Sequence, residues 1–147
     1  MNKLISLFLL TSLLFASCNN DRKEAVNFFT NYQEGIRIAA EKDQPILLIF
    51  AAYASPTGKT LGLLYAPEFR AVLKQYVCIL LMTDDRKLSA NGLTQGAINT
   101  EIQKTYGYNT QPCLLKLTPD LQLIGTPGGY MKSEQELLEF LKTRDYR

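Results

Sequence analysis

Three short, predominantly apolar runs constrain the fold of this chain more than any other feature of its sequence. They cover residues 46–50, 77–82 and 114–117, and helical spacing or turn residues separate them. An apolar run of strand length indicates a strand that is buried on both faces of its sheet. Because helices alternate with these strands and a hairpin precedes the last helix, the sequence predicts an α/β fold. We expect a mixed central sheet of about four strands with helices on both faces.

The remaining elements follow from periodicity and capping residues. A hairpin partner for the third strand is expected over residues 121–124, at the edge of the sheet, and residues 86–96 carry the pattern of a surface loop. Ser133 and Glu136 form a capping-box sequence, which predicts the start of the last helix. The other helices are predicted over residues 24–42, 57–65, 68–76 and 97–106.

The first residues have the order of a bacterial export signal. A lysine near the start precedes an apolar run over residues 4–15, and two small residues stand directly before Cys18. Such a run is too short for a membrane-spanning helix, which needs about 20 residues. The segment over residues 14–18 resembles a lipoprotein signal, in which the cysteine is lipidated; an ordinary secretory peptide with an incidental cysteine is the alternative. We predict a lipoprotein signal peptide over 1–17, a lipid-anchored tether over 18–23 and one domain over 24–147, exported and anchored to a cell-envelope membrane, facing the periplasm.

Composition excludes several classes of function. The chain contains no histidine, which removes catalysis by a histidine-activated serine or cysteine and most zinc sites. The 16 basic and 14 acidic side chains leave a formal net charge of +2, without the basic surface that nucleic acid requires. We expect no metal, no cofactor and no nucleic-acid partner.

A nucleotide-binding loop is the next alternative to consider. Gly58, Lys59 and Thr60 follow an apolar strand, as in a phosphate-binding loop. That loop needs a small first residue so that its amides can surround the phosphates, and Tyr53 occupies this place. The sequence therefore predicts no nucleotide partner.

Two segments resemble the thioredoxin-like superfamily. Residues 45–53 (PILLIFAAY) resemble the strand that enters the active site, especially in the C-terminal domain of DsbD, a thiol:disulfide interchange protein, and in its single-domain relatives. Residues 106–112 (YGYNTQP) are similar to the approach to that family's cis-proline, which is often preceded by glutamine. The resemblance covers roughly residues 28–141. It implies a thioredoxin-like fold without its dispensable first strand.

The redox motif of that family is missing. Ser55 and Gly58 occupy the places of the two cysteines, so the motif reads Ser-Pro-Thr-Gly, and Ile49 replaces a buried acid that family members commonly carry. Thiol–disulfide exchange needs an ionised thiol and a second thiol to resolve the mixed disulfide. The resemblance thus implies a degenerate oxidoreductase that is no longer an enzyme. A cysteine restored at position 58 is expected to be buried without its proton acceptor.

The other two cysteines leave alternatives open. Cys78 lies in an apolar strand, which is typical of a small core residue. Cys113 directly follows Pro112 and is either the first residue of a buried strand or a lone reactive thiol beside a substrate groove. In the order implied by the resemblance, the strand over residues 46–50 separates them. Two strand spacings, about 9.6 Å, exceed the reach of a disulfide, so we predict that they are not bonded.

These observations predict a redox-inactive binding module of the cell envelope. The segment over residues 55–58 is either a plain helix start, with Ser55 as N-cap and Pro56 in the first turn, or a site for an anionic group or an extended peptide. The partner is expected to be an envelope protein or an extended peptide. The alternatives are a thiol–disulfide interchange protein using Cys113 and a purely structural envelope component. The expected groove consists of Tyr53, Ser55, Pro56, Thr57, Thr110, Gln111 and Pro112.

Overall fold

A computed structural model of the chain describes residues 25–53 and 57–142. The strands are β1 (Phe28–Phe29), β2 (Ile46–Ala51), β3 (Val77–Met82) and β4 (Cys113–Leu117). The helices are α1 (Tyr32–Lys42), α2 (Thr57–Tyr65), α3 (Arg70–Leu73), α4 (Gln95–Thr105) and α5 (Glu134–Lys142), and a 3-10 turn over Pro67–Phe69 precedes α3. Within these two ranges, no helix is both long and apolar enough to cross a membrane.

The four strands form one mixed sheet in the order β1-β3-β2-β4. β2 pairs parallel with β3 and antiparallel with β4, and all six of its residues are buried. The predicted α/β fold with a mixed sheet is therefore confirmed. Since β2 lies between Cys78 on β3 and Cys113 on β4, and both thiols are free, the prediction that they are not bonded is also confirmed.

Helices cover both faces of this sheet. Alternate residues of β2 point to opposite sides, so Ile49 belongs to one apolar core and Phe50 to the other. The core around Ile49 contains residues of α2, α3 and α5, and the core around Phe50 contains residues of α1 and α4. Helices on both faces were expected from the alternation of helices and strands.

The start of the domain differs from the prediction. A helix was expected over residues 24–42, but β1 occupies Phe28–Phe29 and pairs parallel with Cys78 and Ile79. The expectation that the first strand is missing is therefore wrong. Asn31 has an extended backbone, and its side chain accepts a hydrogen bond from the Glu34 amide at 3.0 Å, which begins α1 at Tyr32.

The predicted edge strand over residues 121–124 is also wrong. The segment after β4 makes only two isolated pairs with it, Leu117 with Leu123 and Leu114 with Gly128. The two paired residues are five positions apart in this segment but only three apart in β4, so the pairs do not belong to one continuous ladder. Pro127 has no N–H to contribute to such a ladder, and residue 125 is a glycine with a φ of +65°.

Other helix boundaries agree more closely with the sequence. α2 has the predicted bounds, and Ser133 accepts a hydrogen bond from the Glu136 amide at 3.3 Å, as the capping box implies. α4 begins two residues earlier than predicted because the Thr94 hydroxyl accepts a hydrogen bond from the Ala97 amide at 3.2 Å. The helix expected over residues 68–76 is shorter, and its first turn is the 3-10 turn.

Candidate functional site

Three chain segments meet at one end of the sheet, where β2 and β3 end and β4 begins. This end of the strands is called the sheet edge below. The Thr83 amide donates to the Ala51 carbonyl at 2.7 Å, and the Tyr53 amide donates to Oδ1 of Asp84 at 3.0 Å. Phe50 is the residue of β2 that pairs with Cys113. Because these two strands are antiparallel, the residues directly before Cys113 lie beside the residues directly after Phe50. Tyr53 and the residues directly before Cys113 therefore lie at the same end of the sheet.

The loop before β4 contains the cis peptide bond between Gln111 and Pro112 that the resemblance implies. Two hydrogen bonds attach this loop to Gln103 of α4. Nε2 of Gln103 donates to the Thr110 carbonyl at 2.8 Å, and Oε1 of Gln103 accepts from Nε2 of Gln111 at 2.9 Å. The main-chain N–H and C=O of Gln111 make no hydrogen bond within the described part of the chain. They are thus available to pair with a ligand at the sheet edge.

The side of α4 that faces the sheet combines the partly buried Ile102 with residues that are fully buried and not apolar. Its buried residues are Gly96, Asn99 and Gln103. Nδ2 of Asn99 donates to the Met82 carbonyl at 2.8 Å, and Nε2 of Gln95 donates to Oδ1 of Asn99 at 2.9 Å. The spacing of Ile98, Ile102 and Tyr106 predicted this helix, but the buried polar residues were missed. The recurrence of Gln, Asn and Gln every four residues was a signal that could have revealed them.

The loop after β2 is described only in part. Ser55 and Pro56 lie outside the described residues, so their proposed roles as helix cap and groove residues stay predictions. Thr57 is buried, whereas Gly58 is exposed, and a Cβ atom added at Gly58 would meet no atom of the described residues within 4 Å. The expectation that a cysteine at position 58 would be buried is therefore wrong. The buried position at the start of α2 is residue 57.

Neither described cysteine is placed as a reactive thiolate. Burial raises the pKa of Cys78 to about 12, and its thiol donates to the Leu73 carbonyl. Burial also raises the pKa of Cys113 to about 11, and this residue is 2% exposed as the first residue of β4. Ile49, in place of the family's buried acid, is fully buried in the apolar core.

The sheet edge presents main-chain hydrogen-bonding groups of Gln111 and the exposed side chain of Tyr53. Tyr53 is 76% exposed, and only its amide, not its side chain, contacts Asp84 by a described hydrogen bond. A separate apolar cleft of about 720 Å³ lies on the outer side of α4, between Tyr32 and Leu93. None of the predicted groove residues lines that cleft.

Comparison with known proteins identifies the fold. No protein-family model and no curated protein matches the sequence. Among solved structures, the DsbH oxidoreductase is similar with a TM-score of 0.66 at 14% identity, over 86% of this chain and 90% of that one. A Thermus thermophilus thioredoxin gives 0.61 at 15% identity, over 80% of this chain and 85% of that one. The reduced C-terminal domain of Neisseria meningitidis DsbD gives 0.60 at 16% identity, over 80% of this chain and 99% of that one. The chain has a thioredoxin-like fold.

Proposed function

We propose that this chain is a non-catalytic module that binds an extended peptide of an envelope protein at the sheet edge formed by Tyr53 and residues 110–112. The observation that carries the proposal is the Gln111 main chain, which has no hydrogen-bond partner in the described part and belongs to a partly exposed residue at the end of the sheet. An extended peptide can pair with unpaired main-chain groups of a sheet, and main-chain hydrogen bonds then supply the affinity. The exposed Tyr53 ring would supply apolar contact.

Loss of redox chemistry supports binding over catalysis. Positions 55 and 58 hold serine and glycine, and neither can form a disulfide. A nucleophilic cysteine has a lowered pKa, whereas burial raises that of Cys78 and of Cys113. Similar structures include thioredoxin and oxidoreductases, so the fold itself is compatible with ancestral thiol–disulfide exchange.

The proposed location is a bacterial envelope membrane, with the domain anchored through lipidated Cys18 and facing the periplasm. This proposal rests on the basic, apolar, small-residue and cysteine order at the start of the sequence. Mass spectrometry of the native protein tests it. We expect a mature first residue at Cys18 that carries acyl groups, and an unmodified Cys18 would refute the anchor.

Peptide binding is testable by NMR with a reduced, carboxymethylated polypeptide as the probe. This probe is extended and has no free thiol, so it reports binding without exchange. We expect shift changes at Gln111 and Tyr53 and weaker binding by Tyr53→Ser. Leu88→Ser is the matched control, because Leu88 is 69% exposed on another loop and belongs to no predicted groove. Equal weakening by both variants, or shift changes elsewhere only, would contradict the proposed site.

A second candidate function is thiol–disulfide exchange through Cys113, because this residue is adjacent to Pro112 at the same edge. Reduction of insulin with dithiothreitol as electron source tests it. We expect the wild-type chain and Cys113→Ser to match the rate without protein. Activity in the wild type that disappears in Cys113→Ser would replace the binding proposal with this one.

A further inference from the structure

We propose that the end of the domain opposite the sheet edge docks on anionic lipid headgroups through Lys42 and Lys74, so that the sheet edge points away from the membrane. The inference rests on the proposed anchor at Cys18 and goes beyond peptide binding. It assigns a second surface, a partner of stated chemistry and an orientation of the domain.

The two lysines line one cleft of about 340 Å³, called the lysine cleft below. Lys42 belongs to the last turn of α1 and Lys74 directly follows α3, and both side chains are exposed. Among the described residues, no aspartate or glutamate lines the cleft, and no acidic side chain forms an ion pair with either lysine. The cleft therefore presents two ammonium groups to an anion, with no carboxylate in its described lining.

The two chain segments that carry these lysines are fixed to each other. Nε2 of Gln44 donates to the Lys74 carbonyl at 2.8 Å, and the Val77 amide donates to the Pro45 carbonyl at 2.8 Å. These bonds join the chain after α1 to the chain after α3 and keep both lysines on one surface. Two cations on a common surface can contact neighbouring headgroups at the same time, so their weak individual attractions act together.

The chain enters the domain beside the lysine cleft. Ala25 and Val26 contribute to its lining. β1 runs parallel to β3, so the residues before Phe28 lie at the end of the sheet where β3 begins. Residues 18–24 connect Cys18 to the described part and can span at most about 25 Å. An anchored Cys18 would thus keep the lysine cleft close to the headgroups, where basic side chains are attracted to anionic lipid.

The proposed peptide site lies at the opposite end of the strands. β2 begins at Ile46, next to the lysine cleft, and ends at Ala51, two residues before Tyr53. A strand of this length spans about 17 Å. Since β4 is antiparallel to β2, Gln111 lies at the same end as Tyr53. With the lysine cleft on the bilayer, the sheet edge would face the aqueous side and would be open to water-exposed segments of envelope proteins.

The first test measures the orientation on a bilayer. The isotope-labelled protein, purified with its anchor, is placed in nanodiscs of phosphatidylglycerol and phosphatidylcholine in equal amounts with a gadolinium-chelating lipid, and amide relaxation is recorded by NMR. We expect strong broadening at residues 42–45 and 74–76 and little at Tyr53 and Gln111. Salt at 1 M should remove this difference, because it shortens the screening length to about 3 Å. Broadening that is strongest at Tyr53 and Gln111, or equal throughout at low salt, would overturn the orientation.

The second test replaces the two lysines. Lys42→Gln combined with Lys74→Gln should lower the ratio of docked to undocked molecules about 30-fold. Lys59→Gln combined with Lys132→Gln is the matched control, because it removes the same charge from two exposed lysines that do not line the cleft. We expect the control to dock as the wild type does. Equal losses in the two double variants would show a response to net charge alone and would refute the role of the lysine cleft.

The lipid composition provides a test that needs no variant. In nanodiscs of phosphatidylcholine alone, we expect the broadening at residues 42–45 and 74–76 to fall to the level of the other amides. Unchanged broadening there would refute recognition of anionic headgroups while the anchor stands. Should the lysine variant not fold, as thermal unfolding would show, this comparison and the salt dependence of the wild type decide.

A failure of the anchor is distinguishable from a failure of this inference. If mass spectrometry finds Cys18 unmodified, the proposed anchor fails, and sedimentation of the same full chain with phosphatidylglycerol vesicles still tests the lysine cleft. Salt-sensitive binding that the lysine variant loses would support the cleft, and absence of binding would refute it. Peptide binding is measured in solution with the carboxymethylated polypeptide and depends on neither result.

Discussion

The two helices that begin at the proposed binding edge are attached to the molecule in opposite ways. α4 begins in close contact with the main chain at the end of β3, and its buried side chains bond to β3 and to the loop over residues 110–112. α2 begins with the buried Thr57, and the next position, Gly58, is exposed. Its buried Thr60 accepts a hydrogen bond from the Met131 amide at 3.1 Å, which ties it to the segment before α5.

The contacts that position the loop over residues 110–112 come from α4, whereas the sequence predicts the place of the redox motif at the start of α2. On the α4 side, the side chains of Asn99 and Gln103 hold the end of β3 and the loop before β4 by hydrogen bonds. At the start of α2, where the resemblance predicts the place of the second cysteine, the chain has Gly58. The proposed binding surface does not depend on those cysteines, because the loop over residues 110–112 is held by α4.

Gly96→Ala should give the largest effect. Its Cβ would lie 2.6 Å from the Thr83 carbonyl oxygen and 2.7 Å from the Asp85 amide nitrogen, and neither main-chain group can move alone. We expect a loss of about 3 kcal/mol in the free energy of unfolding, measured by urea denaturation. Gly62→Ala, at a position with nothing within 4 Å, is the control and should not be destabilised. A Gly96→Ala protein as stable as wild type would remove the idea that α4 is the rigid side.

Thiol reactivity should show the next largest effect. A rise of the Cys113 pKa from 9.0 to about 11 lowers the thiolate fraction at neutral pH about 100-fold. We expect iodoacetamide to alkylate native Cys113 at least 100-fold more slowly than in urea. The rate should rise about tenfold per pH unit until pH approaches 11, because the raised pKa keeps the thiol protonated below it. Rapid labelling at pH 7 would show that Cys113, next to the loop held by α4, is a reactive thiol.

Gly58→Ala should act in the opposite direction to Gly96→Ala. Alanine is preferred to glycine in a helix, and the added methyl group would point into open space. We expect a gain of about 0.5 kcal/mol in the free energy of unfolding by the same denaturation measurement. A loss of more than that amount would show that the start of α2 is as closely packed as the start of α4.

The central sheet could be predicted from the sequence because burial on both faces leaves a continuous apolar run. β2 and β3 carry this pattern, and helix α2 lies where the spacing placed it. β1 was missed because a two-residue strand has no periodicity of its own. The helical spacing of Phe29, Tyr32 and Ile36 continues through it, and only the Asn31 cap separates them.

The loop before β4 could be predicted from the sequence, but the helix residues that support it could not. The resemblance identified the approach to Pro112, and the cis bond is present there. The burial of Asn99 and Gln103 was missed in spite of their four-residue spacing, because polar residues are ordinarily assigned to the solvent side. Their burial depends on main-chain carbonyls of β3 and of the loop, which are partners distant along the chain.

Tyr53→Ser should have the smallest effect on stability and therefore isolates binding from folding. The Tyr53 ring is 76% exposed, and the contact with Asp84 comes from the main-chain amide, which serine retains. An exposed side chain away from packing contacts changes the free energy of unfolding by no more than about 0.5 kcal/mol. We expect urea denaturation to agree with wild type within that margin while affinity for the carboxymethylated polypeptide falls. Gly96→Ala is expected to lower the free energy of unfolding, whereas Tyr53→Ser is expected to lower only the affinity. Comparing the two variants therefore separates an effect on folding from an effect on binding. If Tyr53→Ser destabilises the domain by as much as it weakens binding, the loss of affinity is a folding effect, and the α2 side has no binding role of its own.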